Sequence, residues 1–368
     1  MKIEKGEISS SQLMSLTIGF LQGSHLLIAF TTGITKHDTW LAVLAALVIS
    51  LPFVLIYITL AQKFPGKNLI QINDIIYGPY LGKLISALYI CFFLLLGALN
   101  LRTVSNFFIT YIMPETPISV ILIMFIFVCA WAVRSGIEVI ARCSFILIVV
   151  TAILVLMVTI LLLKDMKITN FLPVFEIPLK NFIQGTHIMA SIPFTQTVVF
   201  LMVIPYLNKI KEAKSSILLG LIVGGIQLLI IVVRDTAVLG ITETIMVSPS
   251  FEATRLIDIA KILTRLDVLV AIVLLVTLFL RVSIFYYAMV LGIAQLFNLR
   301  SYLPLILPIG IIIISLAVLV YDSSMEHAFD AGNIYPIYSF PFQFLIPLIS
   351  LLIAKIRGIP KKHRGECK

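Results

Sequence analysis

The chain has 368 residues, of which 60% are hydrophobic and only 12% charged, with a mean hydropathy of +1.10. No soluble core needs that much apolar surface, and the apolar runs are continuous rather than alternating, so a β-barrel is excluded and an all-α polytopic membrane protein is expected. The net charge of +9 sits in short loops and tails between the runs, which makes it a topology signal and removes nucleic acid as a partner.

The start, MKIEKGEISSSQ, is mixed in charge and enters a long apolar run without a small-residue cleavage site, so a removed signal peptide is not expected. Ten transmembrane helices are expected, at 12–33, 40–62, 82–112, 117–133, 139–163, 183–206, 215–238, 266–297, 302–321 and 337–356. Most are near the roughly 20 residues that cross a bilayer, and the third and eighth are long enough to tilt. Segment 252–264 interleaves Leu256, Ile257, Ile259 and Leu263 with Arg255, Asp258 and Lys261, the pattern of a short amphipathic helix.

Loops on alternate sides of these spans differ in charge. One side takes 17 of the 27 Lys and Arg and the other takes 8, with Arg102 and Arg281 inside spans. Short basic loops face the cytoplasm, so both termini are expected there, and the basic tail 357–368 is expected to meet anionic headgroups of the lipid bilayer. A single membrane domain (1–368) then divides into a first repeat of about 12–163 and a second of about 183–356. Five spans per half invert the second half relative to the first. In such 5+5 inverted repeats the ligand site lies near the midplane, in discontinuous helices at matching positions.

The first span, TIGFLQGSHLLIAF, carries Gly19, Gln22, Gly23, Ser24 and His25 at its middle. Each glycine weakens a helix by about 1 kcal/mol relative to alanine. A break here would free amides that suit a carboxylate; alternatively, Gly19-x-x-x-Gly23 is a close-packing face. In the matching sixth span, Ser191, Ile192, Pro193 and Phe194 lead into Thr195-Gln196-Thr197. The proline lacks an amide hydrogen and is expected to free carbonyls around Met189 and Ala190. Helices 1 and 6 are therefore expected to be broken, with Gly19, Gln22, Gly23, Ser24, Ser191, Ile192, Pro193 and Phe194 at a ligand site.

Other residues carry the pattern along the chain: Lys36-His37-Asp38-Thr39-Trp40-Leu41, Leu101-Arg102, Pro114-Glu115-Thr116-Pro117, the run RSGIEVIAR at 134–142, Ile204-Pro205-Tyr206-Leu207 and Arg265-Leu266-Asp267. In their order and spacing the chain resembles the spore germination permeases, the B subunits of germinant receptors, within the amino acid–polyamine–organocation superfamily. The resemblance covers nearly the whole chain. It implies a leucine-transporter-type fold and a place in the spore inner membrane beside an A subunit and a lipoprotein C subunit. It also implies sensing of a small germinant such as an amino acid. The chain departs from the family pattern at Arg265-Leu266-Asp267, where Arg-x-Glu is common, and at Arg281, where lysine is expected.

Arg102 and Arg281 each cost about 2.5–3.5 kcal/mol at a span centre unless they face protein or water. They are expected to be structural or gating charges that pair with helix C-terminal carbonyls or snorkel toward the cytoplasm, with a ligand carboxylate as the alternative partner. Asn100 and Thr277 are candidate ligand contacts or helix–helix hydrogen bonds. His25 and His187 read as packed polar residues before proton switches. Asp38 is expected to cap the second span and Trp40 to anchor it, while Gly136 bends the turn before Glu138 pairs with an arginine.

Walker, Rossmann and HExxH patterns are absent, and Cys91, Cys129, Cys143 and Cys367 show no metal spacing. No catalytic residue, metal or cofactor is expected, and the chain is not expected to be an enzyme. Two functions remain. One is a germinant-sensing subunit signalling to partner subunits; the other is a secondary amino acid transporter coupled to protons or sodium. The lack of an Asp or Glu inside the spans is read as arguing against proton coupling through a carboxylate.

Overall fold

Ser9 begins the first helix by a reciprocal cap: its hydroxyl accepts from the Gln12 amide, and the Gln12 side chain accepts from the Ser9 amide at 2.8 Å. From there a computed structural model describes residues 4, 6–257 and 266–359. The described elements are α1 (Ser10–Gln22), α2 (His25–Thr35), α3 (Thr39–Lys63), α4 (Leu69–Tyr77), α5 (Pro79–Tyr111), α6 (Ile118–Arg134), α7 (Ile137–Leu162) and α8 (Leu179–Met189). They continue with α9 (Ala213–Leu239), α10 (Pro249–Arg255), α11 (Asp267–Leu296), α12 (Ile306–Leu319), α13 (Ser324–Phe329), α14 (Tyr335–Phe340) and α15 (Ile346–Ile356).

Six helical stretches among the described residues are long and apolar enough to cross a membrane: His25–Lys63, Pro79–Tyr111, Ile137–Asp165, Ile210–Ile245, Asp267–Leu296 and Ser324–Ile356. Two shorter apolar helices, Ile118–Arg134 and Leu303–Leu319, accompany them. The expected spans 12–33 and 183–206 do not run as single helices. The first divides at Gly23-Ser24, where the Ser24 amide turns to Leu21 O at 3.0 Å. The second leaves α8 through a π turn at Ala190–Phe194 and continues as a 3₁₀ segment, Thr195–Met202. Helix also begins at Ser324, well before the expected tenth span at 337. Gly332, Pro336 and Pro341, with π turns at Asp330–Ile334 and Pro341–Leu345, give that region the look of a loop.

α1 packs against α7, α9 and α11, and α11 against α5, α6 and α7, so these two helices form the centre. The N-terminal arm closes one end: Ile8 pairs in parallel with Leu207, and Tyr302 donates to Glu4 at 2.8 Å. Gly136 takes φ +89 beside the Glu4 carboxylate, and Glu138 pairs with Arg142. At the far end Asp38 is fully buried but does not cap α3; it accepts the Phe175 amide at 3.1 Å, holding the 166–178 loop. Trp40 meets Phe171 edge-on at 6.3 Å. Of the expected amphipathic segment, α10 covers the start and 258–264 lies outside the described residues, as do Arg265 and most of the basic tail.

Candidate ligand site

Unwinding at Gly23-Ser24 leaves Phe20 O without its helical donor, and Pro193 disrupts the ladder in the partner segment. The freed carbonyls lie one to three residues later than the sequence suggests. Ala190 O is retaken within the π turn by the Thr195 amide and hydroxyl. Ser191 O instead accepts from Gln343 Nε2 at 3.0 Å and from Tyr335 Oη at 3.4 Å. Ile192 O and Phe20 O both accept from Arg281, at 2.9 and 2.7 Å. Gln196 joins the two groups: its Oε1 accepts from Arg281 and its Nε2 donates to Tyr335 Oη, each at 2.5 Å.

Beside this network lies a narrow cavity lined by Leu27, Leu96, Leu99, Asn100, Ile192, Gln196, His327, Asp330, Ala331 and Tyr335. Leu27 belongs to the first turn of α2, so the positive end of that helix adjoins the cavity. Asn100 donates to Leu96 O at 2.7 Å, and its Oδ1 is buried without a partner. The cavity volume is only ≈ 20 Å³, enough for a water or two. His327 also lines a second small cavity with Leu26, Phe30, Thr103, Asn106, Phe107, Val247 and Ser324. Between them its ring is stacked on Tyr321 at 4.7 Å and met edge-on by Phe30 at 5.1 Å. A larger hollow between α6 and α12 is lined by Phe127, Ala130, Trp131, Arg134, Leu303, Pro304, Ile306 and Leu307. It is apolar, lies away from both breaks, and lacks converging polar groups.

Of the ten candidate residues, Asn100 and Ile192 line the central cavity. Gly23 and Gly19 are packing positions: a Cβ on Gly23 would stand 2.7 Å from Thr277 O, and one on Gly19 2.6 Å from Leu280 Cδ1. Gln22 donates to Gln227 and accepts from Thr151 at 3.4 Å, clasping α1 to α9 and α7. Ser24 bonds Leu21 O, and Thr277 bonds Val273 O at 2.8 Å on its own helix. Phe194 packs on Gly225, while Ser191 and Pro193 are buried, with the Ser191 hydroxyl unpartnered. Sequence reasoning passed over Tyr335, Asp330 and His327, because the expected tenth span began after them; only Gln196 had been noticed as a polar residue in a span.

Arg102 donates to Ala317 O and Val318 O at 3.1 and 3.3 Å, covering the C-terminal carbonyls of α12. The view that the spans hold no acid needs correction. Asp235 lies within the expected seventh span and is buried, paired with Arg234 at 2.7 Å. Ser250 bonds both partners and also His25 Nε2, at 2.7 Å to the histidine. Glu243 is buried nearby and accepts from Thr236 at 2.7 Å. Among the described residues no group of three or more His, Cys, Asp or Glu is placed to hold a metal ion.

A family model described as "Spore germination protein" matches residues 7–325. Spore germination protein KB of Bacillus subtilis is 30% identical over 99% of this chain and 98% of its own length. Spore germination protein YndE of the same organism is 22% identical over 98% of each. Among solved structures, Mhp1, a nucleobase-cation-symport-1 family transporter in a closed conformation with bromovinylhydantoin bound, superimposes with a TM-score of 0.71. The superposition covers 94% of this chain and 78% of Mhp1 at 12% identity, so the likeness is one of fold. Two interrupted helices meeting beside a small cavity, on a transporter fold and under a family match along most of the chain, lead to one assignment: the chain belongs to the spore germination protein family of membrane permeases.

Proposed function

We propose that the chain is the ligand-binding membrane subunit of a germinant receptor, built from ten spans in two inverted halves of five. It takes a small polar germinant of amino-acid size in the central cavity and passes the movement to an A subunit and a lipoprotein C subunit in the spore inner membrane. The helix contacts support the repeat. Exchanging spans of the first half with their counterparts in the second maps α1 on α9 to α8 on α3, α6 on α11 to α12 on α5, and α1 on α7 to the π segment on α14, whereas α1 on α11 and α11 on α7 have no counterpart of like extent.

The observation that carries the functional reading is the size and lining of the cavity. Its polar groups belong to both halves and to the broken segment, yet it has room for a water or two rather than an amino acid. A ligand therefore enters only by displacing Leu27, Leu96 or Leu99 and the Asp330–Tyr335 turn. That displacement is the signal. Asn100→Leu removes the one unpartnered amide oxygen on the wall and fills the space. The expected outcome is at least about a tenfold rise in Kd for the germinant, about 1.4 kcal/mol, by equilibrium dialysis on purified protein. The dose–response of spore germination should shift in parallel, and an unchanged Kd would move the site elsewhere.

Likeness to a transporter favours a second reading, in which the ligand is carried across. Uptake of labelled germinant into vesicles containing this chain alone separates the two. A sensor accumulates no more than empty vesicles; concentrative uptake would make the chain a permease.

A further inference from the structure

Arg281 is fully buried at the point where the two broken helices meet. Its Nη1 donates to Phe20 O, and its Nη2 donates to Ile192 O and to Gln196 Oε1. The guanidinium carbon lies 4.6 Å from the Phe20 ring centroid and 5.9 Å from that of Phe285. No carboxylate pairs with it among the described residues. A buried charge in such surroundings needs compensation from elsewhere.

The compensation comes from backbone. Phe20 lies in the last turn of α1, and Ile192 lies in the π turn that ends the α8 run. The C-terminus of α1 carries about half a negative charge, and the freed Ile192 carbonyl with the Gln196 amide oxygen adds partial negative charge from the other break, so these dipoles together offset the guanidinium. Two freed carbonyls, an amide oxygen and an aromatic face form a donor set for a monovalent cation, the role that unwound carbonyls and half-helix C-termini serve in broken-helix transporters.

We propose that these broken-helix carbonyls form a monovalent-cation site, and that the Arg281 guanidinium fills it as a tethered cation, so that the chain holds its two breaks together without a free sodium ion. A permanent cation fixes the distance between Phe20 and Ile192, which a dissociable ion would leave to its concentration. The inference stands on the fold and not on the germinant reading, and its test needs no germinant.

The test is thermal stability of the detergent-solubilised full chain. Wild-type Tm should be equal in sodium, potassium and N-methylglucamine chloride at matched ionic strength. Arg281→Ala should lose Tm, and millimolar guanidinium should restore most of the loss with saturation, whereas N-methylglucamine should not. Leu280→Ala, an equally buried neighbour lined by side chains, should gain nothing from guanidinium. Arg281→Lys should keep sodium independence. If Arg281→Ala does not survive extraction, Arg281→Gln carries the same comparison. A saturable rise of wild-type Tm with sodium overturns the proposal. So does an absence of guanidinium rescue in a folded Arg281 variant, or equal rescue of Leu280→Ala.

Discussion

Gly23→Ala is expected to destabilise the protein by about 1–3 kcal/mol or more, the cost of overpacking a site that has no flexible side chain to move. The new methyl would stand 2.7 Å from Thr277 O, a backbone atom, and 2.9 Å from Arg281 Cβ. Relief requires α1 and α11 to separate, which lengthens the Arg281 bond to Phe20 O at the same time. Gly19→Ala meets only side-chain ends, Leu280 Cδ1 at 2.6 Å and Ile148 Cδ1 at 2.8 Å, so it should cost less. Gly33→Ala, with Thr244 O at 3.8 Å as its nearest neighbour, should be neutral or gain up to about 1 kcal/mol of helix propensity. The check is the order of Tm among the three variants in detergent, with Gly23→Ala lowest. If Gly23→Ala melts like Gly33→Ala and instead loses germinant binding, the glycine borders ligand and not α11.

That ordering shows what the sequence could and could not disclose. Periodicity and composition suffice for long apolar helices, because membrane spans need length and hydropathy whatever they pack against. The interruptions were legible too, since Gly23-Ser24 and Pro193 act locally on the backbone. What each freed group meets is set by residues far along the chain. Phe20 O waits for Arg281, and Ser191 O for Gln343 and Tyr335. Hence Gly19 and Gly23 looked like ligand positions from their own span, whereas in three dimensions α11 fills the space beside them. Asn100 and Ile192, which line the cavity, were legible because a polar residue deep in a span, or one beside a proline, is unusual in itself. Tyr335 and Asp330 were not, because proline and glycine made a helical region look like its own end.

The same limit concealed the role of Asp235, which stands inside the expected seventh span and whose partners beyond Arg234 come from α10. Arg234→Met should destabilise the chain by about 3–5 kcal/mol, the usual cost of removing one partner of a buried ion pair. Asp235 then keeps only the hydroxyl of Ser250, and Ser250 itself is shared with His25. The double variant Arg234→Met, Asp235→Leu removes both charges together. It should recover most of the loss, because two well-packed apolar side chains need no compensation. Thermal melts of the single, the reverse single and the double variant give the coupling energy directly. A large coupling with normal germinant binding in the double variant makes the pair a brace that ties the end of α9 to α10 and the start of α2. Should the wild-type chain concentrate the germinant, loss of that uptake in a folded double variant would instead make Asp235 part of a proton path. The geometry favours the brace: both Asp235 oxygens are engaged, one by Arg234 and the other by Ser250, so the contacts this carboxylate makes are the ones that tie α9 to α10.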